Sequence, residues 1–234
     1  NAGRGGTAAT TDCVIIGSHA GESGNIGGAD NVFIGKTAGG GTWSSASMEK
    51  NIAIGTLAMG TGTKNSADQN VAIGYKSLED VTTGDSNVCV GNYTGDDITS
   101  GGNNTAVGYA ALDSMTTGSG NTAIGDGAMQ SITTNTILGA VAVGQYAFKG
   151  AAGTTTGANY TVAIGTNALY ALTTGAENVA LGFMSAYTLT TGDGNVAIGN
   201  KALETHLTGL RNIAIGSYAM SDTNAGTTSQ DSDD

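Results

Sequence analysis

A glycine preceded by an aliphatic residue recurs along this chain at near-constant intervals, and that recurrence fixes the class of fold before any composition is considered. The anchor glycines are Gly17, Gly35, Gly55, Gly74, Gly91, Gly108, Gly125, Gly144, Gly165, Gly182, Gly199 and Gly216. Successive intervals are 18, 20, 19, 17, 17, 17, 19, 21, 17, 17 and 17 residues, so the underlying period is 17. A fixed period of this size is the signature of a stacked repeat protein, in which one unit cannot bury its apolar face alone. The array divides the chain into a short arm at 1–11, a repeat domain at 12–220 and an acidic tail at 221–234.

Each place in the repeat has its own chemistry. The residue before the anchor is always aliphatic, and the residue three before it is β-branched in every copy, from Val14 to Ile213. Between them stands Ala in nine of twelve copies, and four before the anchor stands Asn in nine of twelve. Side chains alternate faces along a strand, so Val-Ala-Ile reads as a short strand with one bulky and one small face. A three-residue strand has no stability alone, and stacking twelve copies makes a parallel sheet with continuous Val/Ile ladders. Asn before the strand and Gly after it suit corners, and stacked Asn side chains can form a hydrogen-bonded ladder along the axis. A second apolar pair lies four and seven residues past the anchor, as in Leu78 and Val81, Leu112 and Met115, Met129 and Ile132, and Leu169 and Leu172. That spacing fits a short helical turn or two extended pieces joined by a bend. Thr-Thr-Gly closes the coil at Gly84, Gly118, Gly175 and Gly192. The fold read from these features is all-β, a parallel β-solenoid of twelve coils of about 17 residues.

Composition narrows the function. Glycine makes up 40 of 234 residues, Pro is absent and only 12% are charged. The glycines keep no every-third-residue rule, which excludes collagen. The net charge of −11 disfavours nucleic acid and anionic membranes, and no apolar run approaches the length of a bilayer span. A start at Asn1 without Met reads as a fragment or a processed form.

The Ala positions suggest self-association. With the Val/Ile face turned to the core, Ala53, Ala72, Cys89, Ala106, Ala123, Ala142, Ala163, Ala180, Ala197 and Ala214 form an outward stripe that permits close approach of a second copy. Cys89 then approaches its symmetry mates, while Cys13, which takes an Asn place, stands four coils away, too far for an intrachain disulfide. The expected partner is the chain itself, as a homotrimer or an end-to-end polymer.

No catalytic set is visible. His19 and His206 lie at opposite ends of the array, and no third group completes a triad or zinc site. Asp85, Asp96, Asp97 and Asp193 lack the ordered ligand set of a calcium loop and read as solvated charge. No metal and no cofactor is expected, and the Asp and Glu residues read as scattered among loops. The aromatics Trp43, Tyr75, Tyr109 and Phe183 are the candidates for surface recognition, the last three following an anchor glycine directly. Sequons stand at Asn92, Asn103 and Asn159.

Segments such as Asn70-Val71-Ala72-Ile73-Gly74, Gly120-Asn121-Thr122-Ala123-Ile124-Gly125 and Asn212-Ile213-Ala214-Ile215-Gly216 carry a resemblance. They resemble the head repeats of YadA-like trimeric autotransporter adhesins and the similar repeats of phage tail fibres and tail spikes. The resemblance implies a left-handed β-roll with three chains wound together, acting as a surface adhesin or fibre shaft outside the cell, on its surface or on a virion. The family head repeat is shorter than this one. The expected function is therefore a non-enzymatic structural or adhesive module that presents loops to a cell-surface glycan or protein, without membrane insertion. Two alternatives are a self-polymerising filament subunit and, ranked last, a polysaccharide-degrading tail spike.

Overall fold

In a computed structural model, residues 12–22, 28–43, 48–133, 137–151 and 155–221 are described. They form an all-β parallel β-solenoid of about 11 turns, one short strand per anchor glycine. The chain divides into two compact units, Asn1–Gly118 and Ser119–Asp234. In the first unit the main strands are β1 (Val14–Ile16), β2 (Val32–Ile34), β4 (Ile52–Ile54), β6 (Val71–Ile73), β7 (Val88–Val90) and β8 (Thr105–Val107). Its longer coils add a small second sheet of β3 (Thr42–Trp43) with β5 (Thr63–Lys64). The second unit holds β9 (Thr122–Ile124), β10 (Val141–Val143), β11 (Val162–Ile164), β12 (Val179–Leu181), β13 (Val196–Ile198) and β14 (Ile213–Ile215). Within each unit the strands pair parallel and in strict register, so that Ala72 lies against Cys89 and Ala163 against Ala180.

The sheet faces are the reverse of the sequence expectation. Ala53, Ala72, Cys89, Ala106, Ala123, Ala142, Ala163, Ala180 and Ala197 are fully buried, and Ala214 almost so, inside the chain's own coils. None of the flanking Val, Ile and Leu side chains is buried. The reason is volume. In the regular coils the narrow interior is already occupied by the pair four and seven residues past the anchor, such as Leu78 with Val81 and Leu112 with Met115, all fully buried. Only a small side chain fits opposite them. The exceptions support this. Where Phe33 replaces Ala, the residue four past the anchor is Gly39, and a Cβ there would lie 2.6 Å from the Phe33 ring. Where Cys89 replaces Ala, the partner is Gly95, whose Cβ would lie 2.9 Å from the sulfur. Ile15 and Gly21 keep the same relation in sequence.

No helix forms among the described residues, because the segment after each anchor is built from alternating handedness. Lys76 and Leu78 have φ of 57° and 49°, and Asn167 and Leu169 have 58° and 50°. The N–H groups of this segment reach both neighbouring coils. Lys76 N–H donates to Thr56 O of the preceding coil (3.0 Å), and Leu78 N–H to Thr94 O of the following one (3.0 Å). Interstrand bonding thus extends around the coil at the cost of left-handed non-glycine residues, roughly 1–3 kcal/mol each. The anchor glycine is needed for two reasons. Gly35 has φ of 137°, and a Cβ there would sit 2.5 Å from the Gly55 carbonyl oxygen.

The Asn ladder forms as its spacing suggests. Asn51 Nδ2 donates to Asn31 Oδ1 (3.2 Å) and to Ala67 O (2.9 Å), while Asn51 N–H also donates to Asn31 Oδ1 (3.0 Å). The pattern repeats at Asn70, Asn87 and Asn104, and again at Asn195 and Asn212. Each interior amide uses both its donors and accepts two bonds at its oxygen, which is what a fully buried amide requires. Cys13 takes the ladder position in the first coil, where its sulfur accepts the Asn31 N–H at 3.4 Å.

Two outcomes follow. Ala163→Phe destabilises by about 3 kcal/mol, and adding Leu169→Gly recovers about 2 kcal/mol relative to the sum of the single changes. A double-mutant cycle on chemical unfolding measures this; simple additivity contradicts the volume account. Asn87→Ala costs about 2–4 kcal/mol by stranding buried partners in both adjacent coils, read from the same unfolding curves.

Candidate functional surfaces

With the Ala row inside, the outward surface of the sheet is aliphatic. In the first unit it carries Ile73 and Val107, exposed by 36% and 37%, and in the second Ile164 and Leu181, exposed by 36% and 46%. Two rows of β-branched and aliphatic side chains run across successive strands of each unit, with Thr105 and Thr122 as the polar members. Burial of the Ala row removes the predicted contact surface: the methyl groups touch the chain's own interior and face no second copy. Cys89 is likewise enclosed, free and held far above the usual thiol range by burial. It cannot meet a symmetry mate. Cys13 is also free.

The four aromatic candidates fare differently. Tyr75, Tyr109 and Phe183 are exposed, as their place after the anchor suggests. Tyr75 and Tyr109 belong to a strip that the sequence reading missed in part. Tyr93, two past its anchor instead of one, stands between them, with ring centroids 5.2 Å from Tyr75 and 5.9 Å from Tyr109. Phe183 lies in the other unit. The backbone of Trp43 pairs with Lys64 in the small sheet, and its side chain lies outside the described part. The arm at 1–11 and the tail from 222 onward also lie outside the described residues.

The carboxylates are less scattered than the sequence suggested. Glu79, Asp96 and Asp113 each stand five past an anchor, and Asp80 and Asp97 six past, so the register stacks them on consecutive coils. Glu79 pairs with Lys76 at 2.7 Å. Loss of hydration raises Asp96 to about 7, helped by the adjacent Glu79 and only partly opposed by Lys76. Asp113 rises to about 6, by desolvation first and Asp97 second. Other acids have structural partners. Asp85 Oδ1 accepts the Asp68 N–H (2.7 Å), and Asp193 Oδ1 accepts the Ala176 N–H (2.8 Å), so both tie neighbouring coils together. Two of the sequon amides do the same: Asn92 Oδ1 accepts the Tyr75 N–H (2.9 Å) and Asn159 Oδ1 the Leu138 N–H (2.9 Å).

His19 is exposed and packs with Ser18 and Glu22. His206 is buried, its Nε2 3.3 Å from Asn212 Nδ2, where the amides of preceding coils meet a backbone carbonyl. Lys64 was not singled out in the sequence, yet it is fully buried, with its ammonium donating to the carbonyls of Thr61, Glu79 (3.1 Å) and Val81 (2.8 Å). Burial pulls its pKa down to about 7 against the attraction of Asp80 and Glu79. This lysine sits within the extra length of the 19-residue interval, outside the regular repeat pattern.

The acid stack sets a pH dependence. Asp96 and Asp113 bind protons more tightly folded than unfolded, so their cost is absent below about pH 4 and grows as pH rises through 6 and 7. Stability of the first unit therefore falls between about pH 5 and about pH 7, above which the lowered pKa of Lys64 acts in the opposite direction. Asp96→Asn with Asp113→Asn flattens that profile and stabilises the neutral protein by roughly 1–2 kcal/mol, after discounting for solvent screening. Thermal unfolding at both pH values decides it, and a wild-type midpoint that rises toward neutrality contradicts it.

Comparison with family models, curated proteins and solved structures finds no match to this chain.

Proposed function

We propose that this chain is a non-enzymatic, self-associating module of an extracellular, cell-surface or virion fibre, a rigid shaft or head whose coils present exposed side chains in several copies. The observation that carries the reading is the uncovered aliphatic sheet surface. Contiguous apolar patches of more than a few hundred Å² are rare on monomers and mark interfaces. Here the apolar rows recur on every strand of a chain with only 12% charged residues, so few charges are at hand to solvate them. The contact surface is thus the Val/Ile/Leu face in place of the Ala row. A closed homotrimer of left-handed coils fits the resemblance of the repeats, each copy covering the aliphatic rows of the next around a common axis. Rigidity comes from the hydrogen-bonded coils, and several copies multiply weak surface contacts.

Light scattering over a range of concentrations tests the assembly. The expected wild-type mass is three chains and independent of concentration. Ile73→Lys with Ile164→Lys, one change on the outward face of each unit, weakens association by roughly tenfold or more while circular dichroism is unchanged. An open-ended, concentration-dependent mass series favours the filament subunit. A wild-type monomer contradicts both.

A further inference from the structure

We propose that the strip Tyr75–Tyr93–Tyr109 is a binding platform for an uncharged, extended glycan lying along the coil axis. The three tyrosines come from three successive coils of one unit. The Tyr93 ring lies nearly perpendicular to both neighbours, at 84° to Tyr75 and 73° to Tyr109. Tyr75 and Tyr109 are exposed, by 37% and 56%, so this cluster contributes little to the core. Its backbone is nevertheless held on both sides. Tyr75 N–H donates to Asn92 Oδ1, Tyr93 N–H donates to Tyr75 O (2.9 Å), and Ala110 N–H donates to Asn92 O (3.0 Å). A backbone held this way loses little freedom on binding.

Spacing and charge define the ligand. Two coil rises separate Tyr75 from Tyr109, about 10 Å along the axis. That matches the repeat of two sugars in an extended β-1,4-linked chain, where alternate pyranoses turn the same apolar C–H face to one side. Aromatic rings bind such faces through apolar contact while the hydroxyl groups stay hydrated. Lys76, next to Tyr75, is neutralised by Glu79, and Asp96 and Asp113 continue the acidic row along the same coils. The acidic row disfavours an anionic polymer, which leaves an uncharged glycan as the ligand. The aliphatic sheet surface is not part of this strip, so the inference rests on the adhesive reading but on no particular assembly state.

Calorimetric titration of the intact chain with cellohexaose and with chitohexaose tests the platform. At least one hexasaccharide binds, and Tyr75→Ala with Tyr109→Ala weakens it roughly tenfold or more. Tyr75→Phe with Tyr109→Phe retains binding, since stacking needs the ring and not the hydroxyl, and so separates lost stacking from disturbed folding. Tyr160→Ala, an exposed tyrosine of the other unit, leaves binding unchanged, and the scattering mass of every variant equals that of the wild type. Failure of both hexasaccharides to bind overturns the proposal, as does binding that survives the double alanine change or tighter binding of a proline-rich peptide. None of these results alters the wild-type assembly mass, so a failed platform and a failed assembly are told apart.

Discussion

The interior of one coil has room for little beyond the large side chains that follow the anchor, and the rest of the molecule follows from that limit. Leu, Met or Phe four residues past the anchor takes the space in most coils, and the strand there offers Ala; after Gly182 the residue is Ala186, beside Ala180. When the strand offers Phe33 or Cys89, the opposing residue gives way to glycine. Because alternation forces the neighbours of an inward Ala to point out, every coil displays two side chains to the exterior, aliphatic in all but Thr105 and Thr122. A requirement of the core thus creates the apolar outer surface on which the assembly reading rests.

Narrow coils also leave little apolar area to bury per residue, so backbone and amide hydrogen bonds carry an unusual share of the specificity. The Asn ladder aligns adjacent coils to a single register, since a slip of one residue leaves buried donors and acceptors unmatched. The alternating left- and right-handed residues past the anchor extend that alignment around the turn. The backbone strain this needs is accepted at residues as bulky as Leu78 and Leu169, because their side chains must still reach the core.

Surface chemistry inherits the same register. A residue type placed at one repeat position in consecutive coils becomes a stack, whether of carboxylates at Glu79, Asp96 and Asp113 or of threonines, whose hydroxyls donate to the next coil at Thr82 and Thr173. Stacking like charges raises their proton affinity, and stacking tyrosines makes a continuous aromatic strip. Both arise from coincidences of position that matter only once the coils are superposed.

The 17-residue period by itself determined the parallel solenoid, the one-strand-per-glycine rule and the Asn ladder, because these depend on local chemistry repeated in register. It also held the sign of the sheet, in the coincidence of Phe33 with Gly39 and Cys89 with Gly95, but only to a reading that compares positions six residues apart. Alternation alone says that two faces differ, never which is inside. Tertiary structure decided that, by filling the coil with the side chains past the anchor and leaving room for nothing larger than Ala. It also decided that Tyr93 joins Tyr75 and Tyr109 despite its different repeat position. Side-chain reach across a rise of about 5 Å, and not sequence spacing, sets which rings meet.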